Sequence, residues 1–345
     1  MCEAFAVGGN EVVLIVPMRA RTRVEDPYEY AGVKSNFKII KLPCIDLFPG
    51  TQSSFWYKVR TLSFLFFVRM YLFCTQYDFI FTRELLATGM KSCVFEIHDI
   101  SPIVVRTIPK LQKVKLLVGI TQGLIDDMVA AGFPREKTVV APDGVSLEDF
   151  LHTQTKEDAR KRLGLSIQST IALYIGLLDT WKGTGSLFGA AKLLAPDITT
   201  VVIGGYGGEW EKLKKDNPDV HFLGFHPYTE LPHNQSAADV LILPNSGLQK
   251  ISAKYTSPLK LFTYMASGIP IVASDLPSLR EVLNETNAVL VTPDSPQALA
   301  EGIRFVCDNP EESSARAARA RIDVQKYSWK MRSHTILTAL SAQEP

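Results

Sequence analysis

The sequence predicts an α/β chain built from two doubly wound parallel-sheet domains. Three observations predict it. Between Ile171 and Thr292, six short apolar runs alternate with helical stretches in strict βα order. A less regular version of that alternation runs from Val12 to Ala141. The 345 residues, 46% of them hydrophobic, suffice for two cores of ordinary size.

Bulk properties exclude some functions. The net charge is +1, which gives no electrostatic case for nucleic acid as the main partner. Cys2, Cys44, Cys74, Cys93 and Cys307 are scattered, odd in number and without CxxC spacing. With no signal peptide, they point to a reducing, cytoplasmic setting. No metal-ligand cluster stands out among the six histidines, and no Asp-x-Asp pair is present. No metal and no bound cofactor is therefore expected.

The first domain reads as follows. Met1 to Val7 resembles the tail of a helix, stopped by Gly8 and Gly9. Strand candidates are Val12–Val16, Phe37–Leu42, Phe79–Phe81, Cys93–Ile97, Leu116–Ile120 and Thr138–Ala141, with a helix over Leu124–Ala131. An open sheet of this type normally begins with a strand and a glycine turn. Neither is found here, so the first unit is expected to lack its strand, exposing pairing groups and apolar surface. Leu62–Phe73, LSFLFFVRMYLF, contains Arg69 and is too short to span a bilayer. It reads as a buried helix, or as an interfacial patch preceded by Trp56, Tyr57, Lys58 and Arg60.

Pro142-Asp143-Gly144 is a turn signal, and the polar stretch Leu147–Leu163 reads as a linker. The expected domains are 1–146 and 147–325. A terminal helix over 326–345 should pack back towards the first. In the second domain the strands are Ile171–Gly176, Thr199–Gly204, Val220–Gly224, Asp239–Pro244, Ile269–Ala273 and Ala288–Thr292. Helices fill the gaps, among them Gly185–Leu194, Glu209–Asp216, Ser257–Ser267, Ser278–Asn284 and Pro296–Asp308. Ala315–Leu340 is helical with a break near Tyr327-Ser328-Trp329.

Ser257 and Pro258 form a helix start, a hydroxyl cap followed by proline. Pro258, Leu261, Phe262 and Met265 share a face that should pack on the sheet. Lys260, Thr263, Tyr264 and Ser267 share the opposite one. A cation in a first helical turn opposes the helix dipole. Lys260 is either a solvated surface lysine or half of an anion site, and the residues alone leave both open. Lys182, in the loop GLLDTWKG (Gly176–Gly183), stands before another helix. Two lysines at two helix starts could clamp a diphosphate without a metal. Gly204-Gly205-Tyr206-Gly207-Gly208 reads as a tight turn, since its spacing is not GxGxxG. His98 follows the strand candidate Cys93–Ile97; a lone histidine is more often structural, but a strand end is where ligands meet open sheets.

SPLKLFTYMASGIPIVASDLPSLREVL, from Ser257, resembles the donor-site segment of family 4 glycosyltransferases, enzymes of the GT-B fold, whose usual form reads SPLKLFEYMA. WKG (Trp181–Gly183), FTRELL (Phe81–Leu86), VFEIHD (Val94–Asp99) and the stretch Gly119–Phe150 are similar to further segments of that family. The resemblance implies two Rossmann-like domains facing across a cleft, closing about Pro142–Phe150. It implies sugar transfer from a UDP- or GDP-sugar to a hydroxyl of a glycan or lipid-linked acceptor, with retention of configuration. It casts Lys182, Lys260 and His98 as the catalytic group. Arg83, Gly205, Ser257, Leu259 and Thr263 become donor contacts. Residues 56–73 could touch the inner face of a membrane. Two departures matter. Leu177 or Leu178 stands where the family has arginine, and Thr263 where it has a glutamate that accepts from ribose hydroxyls. They keep a second reading alive, a GT-B protein that binds a nucleotide or partner without catalysis.

Overall fold

In the computed structural model of the chain, the described residues are 1–19, 26–47, 54–205 and 210–343. They divide into two compact units. One comprises Met1–Gly119, Leu124–Ala141 and Lys330–Pro345; the other comprises Ile120–Gly123 and Pro142–Trp329.

The first unit holds two parallel sheets. β1 (Val13–Pro17) pairs with β2 (Lys38–Leu42), Val13 opposite Lys38. β3 (Ile80–Thr82), β4 (Cys93–Ile97), β5 (Leu116–Gly119) and β6 (Thr138–Val140) form the second sheet in that order. β3 is therefore an edge, and β1 has no second partner strand among the described residues. Burial follows position: every residue of β4 and β5 is buried, whereas β1 and β3 are half-buried throughout. The helix Cys2–Val7 covers part of this sheet. Its Phe5 packs with Val94, Leu116 and Val118 and meets Phe79 and Phe81 edge-on.

The helix Ser54–Phe73 corrects the expectation of a buried segment at 62–73. Thr61, Leu65 and Val68 are buried, but Leu62, Phe66, Met70 and Phe73 are each more than half exposed. Among the described residues, no helix is long and apolar enough to cross a membrane.

The second unit is one six-stranded parallel sheet: β7 (Thr170–Ile175), β8 (Ile198–Ile203), β9 (Val220–Gly224), β10 (Val240–Leu243), β11 (Ile271–Ser274) and β12 (Val289–Val291). The order across it is β12-β11-β10-β7-β8-β9. Alternate residues feed opposite cores. Ile171 and Leu173 face one cluster, and Ala172 and Tyr174 face the other. A sheet buried on both sides needs apolar residues at both parities, which is why its strands read as continuous runs.

Two sequence expectations fail here for one reason. Leu147–Leu163 is not a loose linker: it contains a helix, Lys156–Leu163, capped by Thr155. Arg160 hides this burial by being charged. It is buried, and its guanidinium donates to Ala237 O, Ile167 O and Ser169 O and pairs with Asp239. Likewise Thr263 and Tyr264 are as buried as Leu261 and Phe262. The helix Leu259–Ser267 is thus enclosed on both faces, not amphipathic.

Candidate functional site

The strand order reverses between β7 and β10, since β8 follows β7 to one side and β10 lies on the other. In an open parallel sheet this is where a crevice opens beyond the carboxyl ends of the strands. Backbone at that place is crowded. Gly204, at φ +124, lies so close to Gly176 that an added Cβ would come within 2.2 Å of Gly176 O. The loop after β7 also crosses to the loop after β10. A Cβ on Gly183 would lie 1.6 Å from Pro244 O, and Ser246 N donates to Trp181 O at 3.1 Å. Only glycine permits both approaches.

Lys260 and Lys182 come together here. Part of the Lys260 stem is exposed, but its Nζ is sealed from solvent and has no hydrogen-bond partner among the described residues. The ammonium sits 3.9 Å from the centre of the Tyr174 ring. Burial, and then the charge of Lys182, push it well below the ordinary lysine value of 10.5, with Asp179 pulling the other way. Lys182 Nζ is held 3.1 Å from Asp179 and lies over the Trp181 ring. Gly176 leaves room for the Lys260 ammonium, since a Cβ there would come within 2.9 Å of it.

The other positions expected to contact a donor fall as follows. The helix begins at Leu259, which is exposed, with Pro258 as its extended cap residue. Ser257 is not the cap: its hydroxyl accepts from Asp143 N at 3.0 Å, which corrects the expected helix start. Thr263 Oγ1 accepts from Gln235 Nε2 and donates to Lys260 O, each at 3.0 Å. Gly205 is half-buried at φ +96. Tyr206, Gly207 and Gly208 of the expected turn lie outside the described residues.

In the first unit, His98 and Arg83 both meet Glu96. His98 Nε2 and Arg83 Nε are each 2.6 Å from Glu96 Oε1, while an Arg332 nitrogen is 2.6 Å from Oε2. Burial would raise the Glu96 carboxyl. The His98 hydrogen bond and the charges of Arg332 and Arg83 outweigh it and hold the group at about 2. The carboxylate orients His98 with its ring partly open to solvent.

Residues 169–309, which contain this lysine pair, match the family model described as Glycosyl transferases group 1. This segment is a glycosyl transferases group 1 domain. The chain is also similar to curated proteins. The chain is 28% identical over 231 residues to a D-inositol 3-phosphate glycosyltransferase of Xylanimonas cellulosilytica, covering 62% of this chain and 53% of that one. It is 29% identical over 166 residues to the putative teichuronic acid biosynthesis glycosyltransferase TuaC of Bacillus subtilis, covering 48% and 40%. The chain thus spans about half the length of the curated relatives it matches. Among solved structures, Anabaena HepE in complex with UDP and glucose matches at TM-score 0.72 and 18% identity, over 95% of this chain and 91% of that one. Sucrose-phosphate synthase of Thermosynechococcus elongatus matches at 0.79 and 19%, over 99% and 91%. These likenesses establish the GT-B fold.

Sequence reasoning missed three residues around the lysine pair of the group 1 domain. Tyr174 supplies the ring under Lys260, yet reads as one more apolar strand residue. Gln235 and Asn245 are buried with amide oxygens that have no partner among the described residues. A polar side chain just after an apolar strand, as Asn245 is after β10, was the available signal. Glu96, a carboxylate inside the apolar run VFEI, was a clearer one.

Proposed function

We propose that the chain moves a sugar from a nucleotide-diphosphate donor to a hydroxyl acceptor, retaining configuration and using no metal. One observation carries the reading: the Lys260 ammonium is sealed at the strand crossover without a hydrogen-bond partner. A buried cation is costly unless something completes it. A diphosphate supplies acceptor oxygens and opposite charge at once. On one face of the sugar the C1–O bond to the diphosphate breaks as the acceptor oxygen bonds C1, the hydroxyl proton passes to the departing diphosphate oxygen, and negative charge grows on the leaving group. Lys260 and Lys182 stabilise that charge in a site with little water. Gly204 and Gly205 let the backbone approach the nucleotide, and Leu259 and Ser257 frame the start of the lysine helix. Thr263, already bonded to Gln235 and Lys260 O, steadies this turn in place of a carboxylate on the ribose.

His98, held by Glu96 beside Arg83, orients the sugar or its phosphate. The acceptor is a glycan or a lipid-linked glycan of the cell surface, handled by the first unit. HepE with UDP and the inositol phosphate and teichuronic acid relatives support this substrate class. The five free cysteines suit work in a reducing cytoplasm.

A second reading, nucleotide binding without catalysis, is favoured by Thr263 and by Leu177 or Leu178 where arginine is usual. Nucleotide release from a panel of UDP- and GDP-sugars separates the two. Release from at least one donor, unchanged by a chelator and lost in Lys260→Ala, supports the transferase. Silence with every donor supports the binder, and release abolished by the chelator overturns the metal-free mechanism.

A further inference from the structure

Asp179 stands at the cap position of the short turn Thr180–Lys182, yet its side chain makes no cap bond. An aspartate in that position ordinarily accepts from the turn's own amides. Its carboxylate reaches Lys182 Nζ instead, at 3.1 Å. The Asp179 side chain is 48% exposed and that of Lys182 only 16%. The carboxylate is therefore free to swing into water, and the ammonium is not. Asp179 also acts beyond its partner. It is the anion among the groups whose charge reaches Lys260, where it opposes the repulsion from Lys182. Lys260 Nζ has no hydrogen-bond partner among the described residues. Two neighbouring cations thus depend on a carboxylate that the local backbone does not need.

We propose that Asp179 is a stand-in for the donor's diphosphate: it neutralises the lysine pair in the free protein, gives up Lys182 when the diphosphate binds, and so weakens donor binding and hastens nucleotide release. The inference rests on the donor-site reading above and adds a residue that tunes its affinity. The argument is one of competition. An ammonium has three N–H donors, and the one aimed at Asp179 is withheld from a phosphate oxygen until the pair opens. A diphosphate also brings several negative charges to a place where a carboxylate already stands. Like charges at close range disfavour each other strongly where little water screens them. Asparagine keeps the side-chain shape and removes both effects. The weakening has a use, because release of product limits turnover in many enzymes.

The test is calorimetry of the full chain with UDP, GDP and inorganic pyrophosphate, on wild type and Asp179→Asn. The variant should bind pyrophosphate, and whichever nucleotide wild type binds, at least about tenfold more tightly. Loss of folding cannot imitate a gain in affinity. Asp197→Asn is the control. It removes an exposed carboxylate just before β8, at the other end of the strands, and should leave affinity unchanged. The gain should shrink when Asp179→Asn is made in a Lys182→Met background, because no ammonium is then left for the carboxylate to occupy. A general change in surface charge would not depend on Lys182. If neither protein binds any of the three ligands, the donor-site reading itself falls. If wild type binds and Asp179→Asn binds no tighter, this proposal alone falls. Weaker binding by Asp179→Asn overturns it too, since Asp179 would then be a contact to the ligand.

Discussion

Lys260→Met should make the empty protein more stable. In the free protein the ammonium is out of water and has no hydrogen-bond partner among the described residues. Burying such a charge costs several kcal/mol even after relaxation. The Tyr174 ring, 3.9 Å away, returns about 2 kcal/mol. Methionine fills a similar volume and adds a sulfur that packs well on an aromatic ring. The net gain should be about 1–4 kcal/mol, the range seen when buried ion pairs are replaced by well-packed apolar groups. For a unit of this size, each kcal/mol raises the melting temperature by about 2–4 °C. The gain should depend on pH. The folded pKa of Lys260 is lowered from 10.5, so the unfolded chain binds a proton that the folded chain gives up between the two values. Wild-type stability therefore rises with pH through that window, and the advantage of Lys260→Met shrinks to nothing above about pH 10.5. Thermal or urea unfolding of both proteins, without nucleotide, from neutral to alkaline pH measures this. A methionine variant less stable than wild type at neutral pH would refute the reasoning, because the ammonium would then have a structural partner.

Three further outcomes follow from the same geometry. Gly183→Ala should destabilise the second unit by at least about 2 kcal/mol in urea and lower nucleotide affinity, since its Cβ would strike Pro244 O at 1.6 Å from a positive-φ backbone. Tyr174→Phe should keep nucleotide affinity and lose about 1 kcal/mol of stability with its bond to Leu177 O, whereas Tyr174→Leu should weaken nucleotide binding in calorimetry as Lys260 loses its ring. Glu96, held at about 2 against an ordinary 4.5, should contribute of order 3 kcal/mol, fully present above pH 4.5 and lost as pH falls through 2. Acid unfolding should show that loss in wild type, and Glu96→Gln should lack it.

The second unit was legible because parallel strands buried on both faces leave short apolar runs that nothing else in the chain imitates. β7, β8 and β10 lie within a residue or two of where those runs placed them. The first unit was less legible. Its β1 and β3 lie at sheet edges, and half-buried edges carry weaker patterns. Polar residues in buried roles caused most of the remaining differences. Arg160 disguised a helix as a linker. Ser257 looked like a cap until the Asp143 amide claimed its hydroxyl. The residues alone left Lys260 open between a surface lysine and an anion site; the family resemblance paired it with Lys182, and the structure places the two close enough for the charge of Lys182 to act on Lys260. Tyr174 was invisible, since an aromatic in a buried strand looks the same whether it fills a core or faces an ammonium.

The account rests on Lys260 waiting for an anion, and calorimetry with UDP and GDP on wild type and Lys260→Ala tests this most directly. Wild type should bind at least one of them. Binding in the variant should be weaker by about 10- to 150-fold, the worth of one charge-assisted contact. If neither nucleotide binds wild type, or if the variant binds equally well, the diphosphate site does not exist.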